Sequence, residues 1–231
     1  MRRAGELRDR QAKRLGLEEP ESYLPAVIPS FERRVTNLPD RRRRAFRDFL
    51  NRLISEASES RASSSPSGAA RPTDPAPPSA RELDLRAVLG KACAICQGYC
   101  CGFGGNHAYL TVETMQRYLA EHPDQRPRDV LTAYLSHVGN RTFEGSCVYH
   151  QPGGCSLPRA MRADICDYFY CPGLTEFQQG LAGRDRARGF FVSMNDDEIR
   201  AAAFCDEDRS RIVDLPLTPE NEPGPPQGDG A

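Results

Sequence analysis

The sequence predicts an α+β fold, mainly helical, in which a small, irregular, cysteine-rich and metal-centred domain carries a β-hairpin and is preceded by an N-terminal helical arm. Three observations predict it. Eight of the nine cysteines fall between Cys93 and Cys171. Leu, Ile, Val and Phe together make up only 44 of 231 residues, a level at which an ordinary apolar core becomes thin. Apolar residues also recur with the helical period in several segments and with the strand pattern in one.

Composition divides the chain into four parts. Residues 1–56 are rich in arginine. Asp40, after Pro39, suits an N-cap, and Phe46, Phe49, Leu50, Leu53 and Ile54 then follow the stripe of an amphipathic helix. That stripe calls for a partner surface, which could be another protein. Residues 57–80 contain no Leu, Ile, Val, Phe, Tyr or Met; such a Ser/Ala/Pro segment cannot offset the entropy of ordering and is predicted to be a disordered linker. Residues 214–231 carry five prolines and read as a disordered tail.

Everything chemical lies in residues 81–213. A short helix is expected at Leu83–Leu89, ended by Gly90. Thr111 can cap a second helix through His122, stopped by Pro123. Val130, Leu131, Tyr134, Leu135 and Val138 share one face of a third, closed by Gly139-Asn140. Phe177 and Leu181 suggest a further helical turn or two. Phe190–Met194, a polar turn at Asn195-Asp196-Asp197, and Ile199–Cys205 read as a β-hairpin. There is no internal repeat.

The net charge of -1 gives no global field that would favour nucleic acid or a membrane surface. The charged N-terminus lacks the apolar core of a secretory signal, and no stretch approaches the ~20 apolar residues of a membrane span. These features predict a cytoplasmic chain, whose thiols are kept reduced and whose clustered cysteines are metal ligands before they are disulfides.

The cysteines form two groups. The first is Cys93-x2-Cys96-x3-Cys100-Cys101 and the second Cys147-x7-Cys155-x10-Cys166-x4-Cys171. Soft thiolates suit zinc, copper(I) and iron–sulfur clusters. Neighbouring thiolates repel unless a cation holds them, so the tandem Cys100-Cys101 points to metal. Zinc prefers paired C-x2-C knuckles, of which only Cys93/Cys96 is one. An iron–sulfur cluster offers several irons to closely spaced cysteines. All eight are candidate ligands, enough for one cluster, a cluster plus a zinc, or two four-sulfur sites. His107 and His150 read as surface or supporting groups, Arg159 and Arg162 as charges that offset thiolates, Lys91 as solvated, and Cys205 as a buried small hydrophobe.

Cys93-x2-Cys96-x3-Cys100-Cys101, followed by Cys147, Gly154-Cys155, Arg162, Cys166 and Cys171, resembles the YkgJ-type cysteine-cluster family, a zinc- or iron-chelating domain with a CxxCxxxCC motif. The match spans residues 90–172. It implies a metal-binding domain with all eight cysteines as ligands. Arg162-Ala163 stands where the family often has Arg-Pro, and Tyr168-Phe169-Tyr170 retains its aromatic character. Members include flagellin lysine methylating enzymes, which are larger, so the shared domain alone does not carry that activity.

Three functions follow. The first is a metal-binding module, iron–sulfur or zinc, in a redox, metal-handling or structural role. The second is an iron–sulfur-dependent modifying enzyme of methyltransfer type; against it, the chain has no G-x-G-x-x-G, P-loop, G-x-S-x-G or H-E-x-x-H motif, and no catalytic residue is singled out. The third is a zinc-based adaptor for nucleic acid or protein, resting on Arg41–Arg44, although such a run reads first as a solvated helix face.

Overall fold

The computed structural model describes residues 2–63 and 79–213. Among them, seven α-helices and three small sheets make a mixed α and β architecture, about half of it helical. In chain order these are α1 (Arg2–Leu15), β1 (Leu24–Pro29), β2 (Val35–Asn37), α2 (Asp40–Ser63), α3 (Ala80–Cys96), α4 (Val112–Glu121), α5 (Pro127–Ser136) and β3 (Arg141–Phe143). There follow β4 (His150–Gln151), β5 (Gly154–Cys155), α6 (Ile165–Tyr168), α7 (Pro172–Gly180), β6 (Gly189–Asn195), β7 (Glu198–Cys205) and β8 (Ser210–Ile212).

The expected hairpin is present and becomes the centre of a four-stranded sheet. β6 and β7 pair antiparallel with Phe190 opposite Phe204, turning through Asp196, whose φ of 50° is left-handed. The strand order is β1-β6-β7-β8, and β1 runs parallel to β6 with Leu24 opposite Gly189. Pro25 and Pro29 confine β1 to the edge, where a missing N–H costs no ladder bond. Alternate residues of β6 face opposite ways. Phe190 and Val192 pack against Ala4, Leu7 and Ala12 of α1, while Phe191 packs against Val88, Leu89, Leu174 and Phe177. One helix therefore covers one face of the sheet, and α3 and α7 cover the other.

A second core is helical. Phe46, Leu50 and Ile54 of α2 are buried against Met115, Tyr118 and Leu119 of α4 and Val130 and Tyr134 of α5, with Phe49 and Leu53 at its edge. The stripe read from the sequence thus meets its surface within the chain.

Two expectations are corrected here. Residues 1–56 are not a separate arm: α1 covers the sheet, β1 is one of its strands, β2 pairs with β3, and α2 builds the helical core. The helix expected to stop at Gly90 runs from Ala80 to Cys96. Its start is fixed by a capping box, in which Ser79 and Glu82 satisfy each other's backbone N–H groups. Glycine costs about 1 kcal/mol inside a helix, and the burial of Val88, Leu89 and Ala92 outweighs it. Of the expected linker, residues 57–63 continue α2, Ser79 caps α3 and Ala80 begins it; its remainder and the expected tail from residue 214 lie outside the described residues.

Candidate metal centre

The eight candidate ligands arrive from separate pieces of chain. Cys93 and Cys96 stand one turn apart at the end of α3. Gln97 and Gly98 then take left-handed conformations, with φ of 58° and 80°, and turn the chain into a 3-10 segment, Tyr99–Phe103, that carries Cys100 and Cys101. Cys147 lies in the loop before β4, Cys155 in β5, Cys166 in α6, and Cys171 is the N-cap of α7. Cys100, Cys101, Cys147, Cys155, Cys166 and Cys171 all line one cavity of about 650 Å³. Cys93 and Cys96 stand behind Cys100, near enough for their charges to interact.

The rest of the wall is largely apolar. Val27, Ile28 and Pro29 come from β1, and Leu157 and Ile165 from the second cysteine region. Tyr99, Phe103 and Phe169 line the same cavity while remaining exposed, so aromatic rings rim its mouth.

Backbone contacts hold the two cysteine regions together. The N–H of Cys147 donates to the carbonyl of Cys101 at 2.9 Å, and that of Val148 to Gly105 at 3.1 Å. Ser146 Oγ adds a bond to the carbonyl of Cys101 at 2.9 Å. Gly104 allows this approach: a Cβ there would lie 2.8 Å from Cys147 Cβ.

Arg42 locks the same junction from α2. Its guanidinium donates to Asn106 Oδ1 at 2.6 Å, to the carbonyl of Gly105 at 3.2 Å, and to that of Ser146. Arg43 beside it reaches the carbonyl of Gly139 at 3.1 Å. Half of the arginine run expected to be a solvated face is therefore structural. Lys91, also expected to be solvated, donates to the carbonyls of Asp206 and Glu207 at 2.6 and 2.8 Å.

His150 is a supporting group with no free ring nitrogen. It is 2 % exposed, with Nδ1 2.7 Å from Ser146 Oγ and Nε2 3.0 Å from the carbonyl of Gln97. Burial lowers its pKa, opposed in part by the Gln97 bond. His107 Nδ1 accepts from the N–H of Tyr109 at 3.0 Å. Arg162 clamps the second region, donating to the carbonyls of Leu157 at 2.9 Å and Cys155 at 3.4 Å, and its charge favours the Cys166 thiolate. Arg159 instead pairs with Asp167 at 2.9 Å. Cys205 is fully buried in β7, as expected.

The thiols are desolvated and crowded by one another. Burial first, then neighbouring sulfurs, pushes Cys93 and Cys147 up to about 12 and Cys96 and Cys166 up to about 11. The tandem pair differs: the interaction between its two thiols lowers Cys100 and raises Cys101. The raised thiols hold their protons, and a metal bound here would have to displace them.

No family model, curated protein or solved structure matches this chain.

The cavity wall carries six thiols together with Arg162 and the carboxylate of Asp196, while Cys93 and Cys96 stand outside it; thiolates are donors that suit soft metals. Among the described residues, however, no three His, Cys, Asp or Glu side chains converge tightly enough to hold one ion. What the structure has where the sequence led us to expect a metal-centred core is a cavity walled by six cysteines, without a formed ligand cage among the described residues. Sequence reasoning missed Arg42, Ser146 and Tyr109, whose hydroxyl donates to the carbonyl of Cys100 at 2.8 Å; nothing in their local pattern separates them from ordinary polar residues.

Proposed function

We propose that this chain is a metal-binding cysteine-cluster protein, with Cys93, Cys96, Cys100, Cys101, Cys147, Cys155, Cys166 and Cys171 as its thiolate ligands. The observation that carries the reading is that one cavity gathers six of these thiols from both sequence groups. Among soft metals, iron–sulfur chemistry suits it better than zinc alone. Four sulfurs on one zinc stand close together, each about 2.3 Å from the ion, whereas a cluster spreads its cysteines over several irons. The spread thiols and the volume of the cavity favour the second. Bound there, such a centre would supply redox or metal-handling chemistry. The chain's own residues would hold it: Arg162 and Arg42 balance thiolate charge, and Ser146 and His150 fix the backbone that carries the sulfurs. The spacing likeness to YkgJ-type proteins points the same way.

Protein purified anaerobically should contain iron and inorganic sulfide in fixed proportion, with broad absorbance near ~400 nm. Zinc in a colourless protein would keep the metal site and replace the iron–sulfur assignment. Folded protein without either metal would end the proposal.

A second reading is favoured by one feature. A largely apolar cavity of about 650 Å³ lies in the range of small-molecule sites, which suits an iron–sulfur-dependent modifying enzyme. Titrating S-adenosylmethionine onto the reconstituted protein tests it; binding supports the enzyme, and its absence removes the methyltransfer version. The zinc-adaptor reading has less support, because Arg42 and Arg43 are engaged inside the fold.

A further inference from the structure

We infer that the eight cysteines form two four-thiolate centres whose membership crosses the sequence groups: Cys93, Cys96, Cys100 and Cys171 in one, Cys101, Cys147, Cys155 and Cys166 in the other. The inference rests on the metal-binding reading above and assigns the ligands within it. Sequence order alone divides them differently, with Cys101 in the first set and Cys171 in the second.

The two cores separate five of the eight cysteines, Cys96 and Cys171 from Cys101, Cys147 and Cys155. Cys96 is buried with Ile28, Leu174 and Phe177 in the core under the sheet, and Cys171 packs against that same core. Both positions are fixed by helices lying on β1 and its neighbours: α3 ends at Cys96, and α7 begins after Cys171. Cys147 belongs instead to the helical core with Val148, Tyr149 and Leu157, and Cys101 and Cys155 pack at its edge. The N–H of Cys147 and the hydroxyl of Ser146 both bond the carbonyl of Cys101, which ties Cys101 to the second region although it is adjacent to Cys100 in sequence.

Charge neighbours agree with the packing. The sulfurs that act on Cys93 are Cys100, Cys96 and Cys171, and those that act on Cys96 are Cys100 and Cys171. The sulfurs that act on Cys101, beyond its tandem partner, are Cys147 and Cys155, and those that act on Cys147 are Cys155 and Cys166. Cys155 and then Cys100 act on Cys166, as expected where the two sets meet. The tandem pair is the junction, giving one sulfur to each side. This explains the CC dipeptide as the point where one stretch of backbone enters both halves of the fold.

Double substitutions in the full-length chain, purified anaerobically and assayed for metal per protein, separate the two divisions. Two losses in the same four-sulfur set should destroy one centre and leave about half of the metal, while one loss in each set should remove nearly all of it. Cys101→Ser with Cys166→Ser should therefore retain half, and Cys166→Ser with Cys171→Ser almost none. The reverse pattern would overturn the inference in favour of sequence order. Complete metal loss from every single substitution would overturn it in favour of one shared centre. Wild-type protein that binds no metal would reject the underlying reading itself. Where a variant does not fold, wild-type protein alkylated during stepwise chelation gives the same answer by peptide mass. Cys93, Cys96, Cys100 and Cys171 should become reactive together; co-release of Cys171 with Cys147 and Cys155 would contradict the assignment.

Discussion

The N–H of Cys147 donates to the carbonyl oxygen of Cys101 at 2.9 Å, so two cysteines 46 positions apart share a main-chain bond at the wall of one cavity. Ser146 and Arg42 reinforce the same joint, one from the neighbouring residue and one from α2. The stability of the candidate site is thereby coupled to a helix that carries no cysteine.

Replacing Arg42 should loosen the joint. A charged donor serving three acceptors contributes more than an exposed one, so Arg42→Ala is expected to cost about 2–3 kcal/mol. Arg44→Ala, exposed on the same helix, should stay within about 0.5 kcal/mol. Urea unfolding of both variants checks the contrast, and equal small effects would refute the structural role of Arg42.

Gly98 has a φ of +80°, and a Cβ there would stand 2.7 Å from His150 Nε2. Gly98→Ala should cost about 1–2 kcal/mol from backbone conformation alone, with the contact adding to it. The same variant should bind less metal, measured per folded protein, because the turn that presents Cys100 and Cys101 moves.

His150 sets an acid limit. Its pKa is lowered in the fold by burial, so unfolded protein takes up a proton first as the pH falls. The associated stability is complete above the ordinary histidine value of about 6.5 and declines below it. Metal-free wild type should lose urea resistance between pH 7.5 and pH 5 more steeply than His150→Gln. Parallel pH dependences would show that His150 is not responsible.

The thiols set an alkaline limit of opposite sign. Cys93, Cys96, Cys147 and Cys166 are raised to about 11–12 by burial, above the ordinary thiol value of about 8.5. Their stabilisation of metal-free protein is complete below that value and disappears as the pH rises toward 11–12. Metal that holds the thiolates should remove this loss, so the pH profiles of unfolding with and without metal should diverge above pH 9.

Much of the fold was legible, and its failures have physical causes. The hairpin, the Thr111-capped helix and the α2 stripe follow from local patterns that tertiary packing reinforces. β1 was hidden because Pro25 and Pro29 argue against a strand, and only its place at a sheet edge makes them tolerable. α1 was hidden because its buried face is built from Ala4, Leu7, Gln11 and Ala12, too small and polar to read as a stripe. Gly90 looked like a stop because the sheet that holds α3 straight through it is formed by residues a hundred positions later. At the candidate site, spacing singled out the cysteines, six of which line one cavity, while the core against which each one packs is a property of the fold.

The most direct test of the central claim is mass analysis of native, anaerobically purified protein after brief alkylation. Cys100 exposes surface and carries the lowered pKa of the tandem pair, so as a free thiol it would be modified first. If the cysteines hold metal, Cys100 should not react until a chelator is added, and release of iron or zinc should accompany the labelling. Immediate labelling of Cys100 in folded protein, with no metal released, would contradict the account.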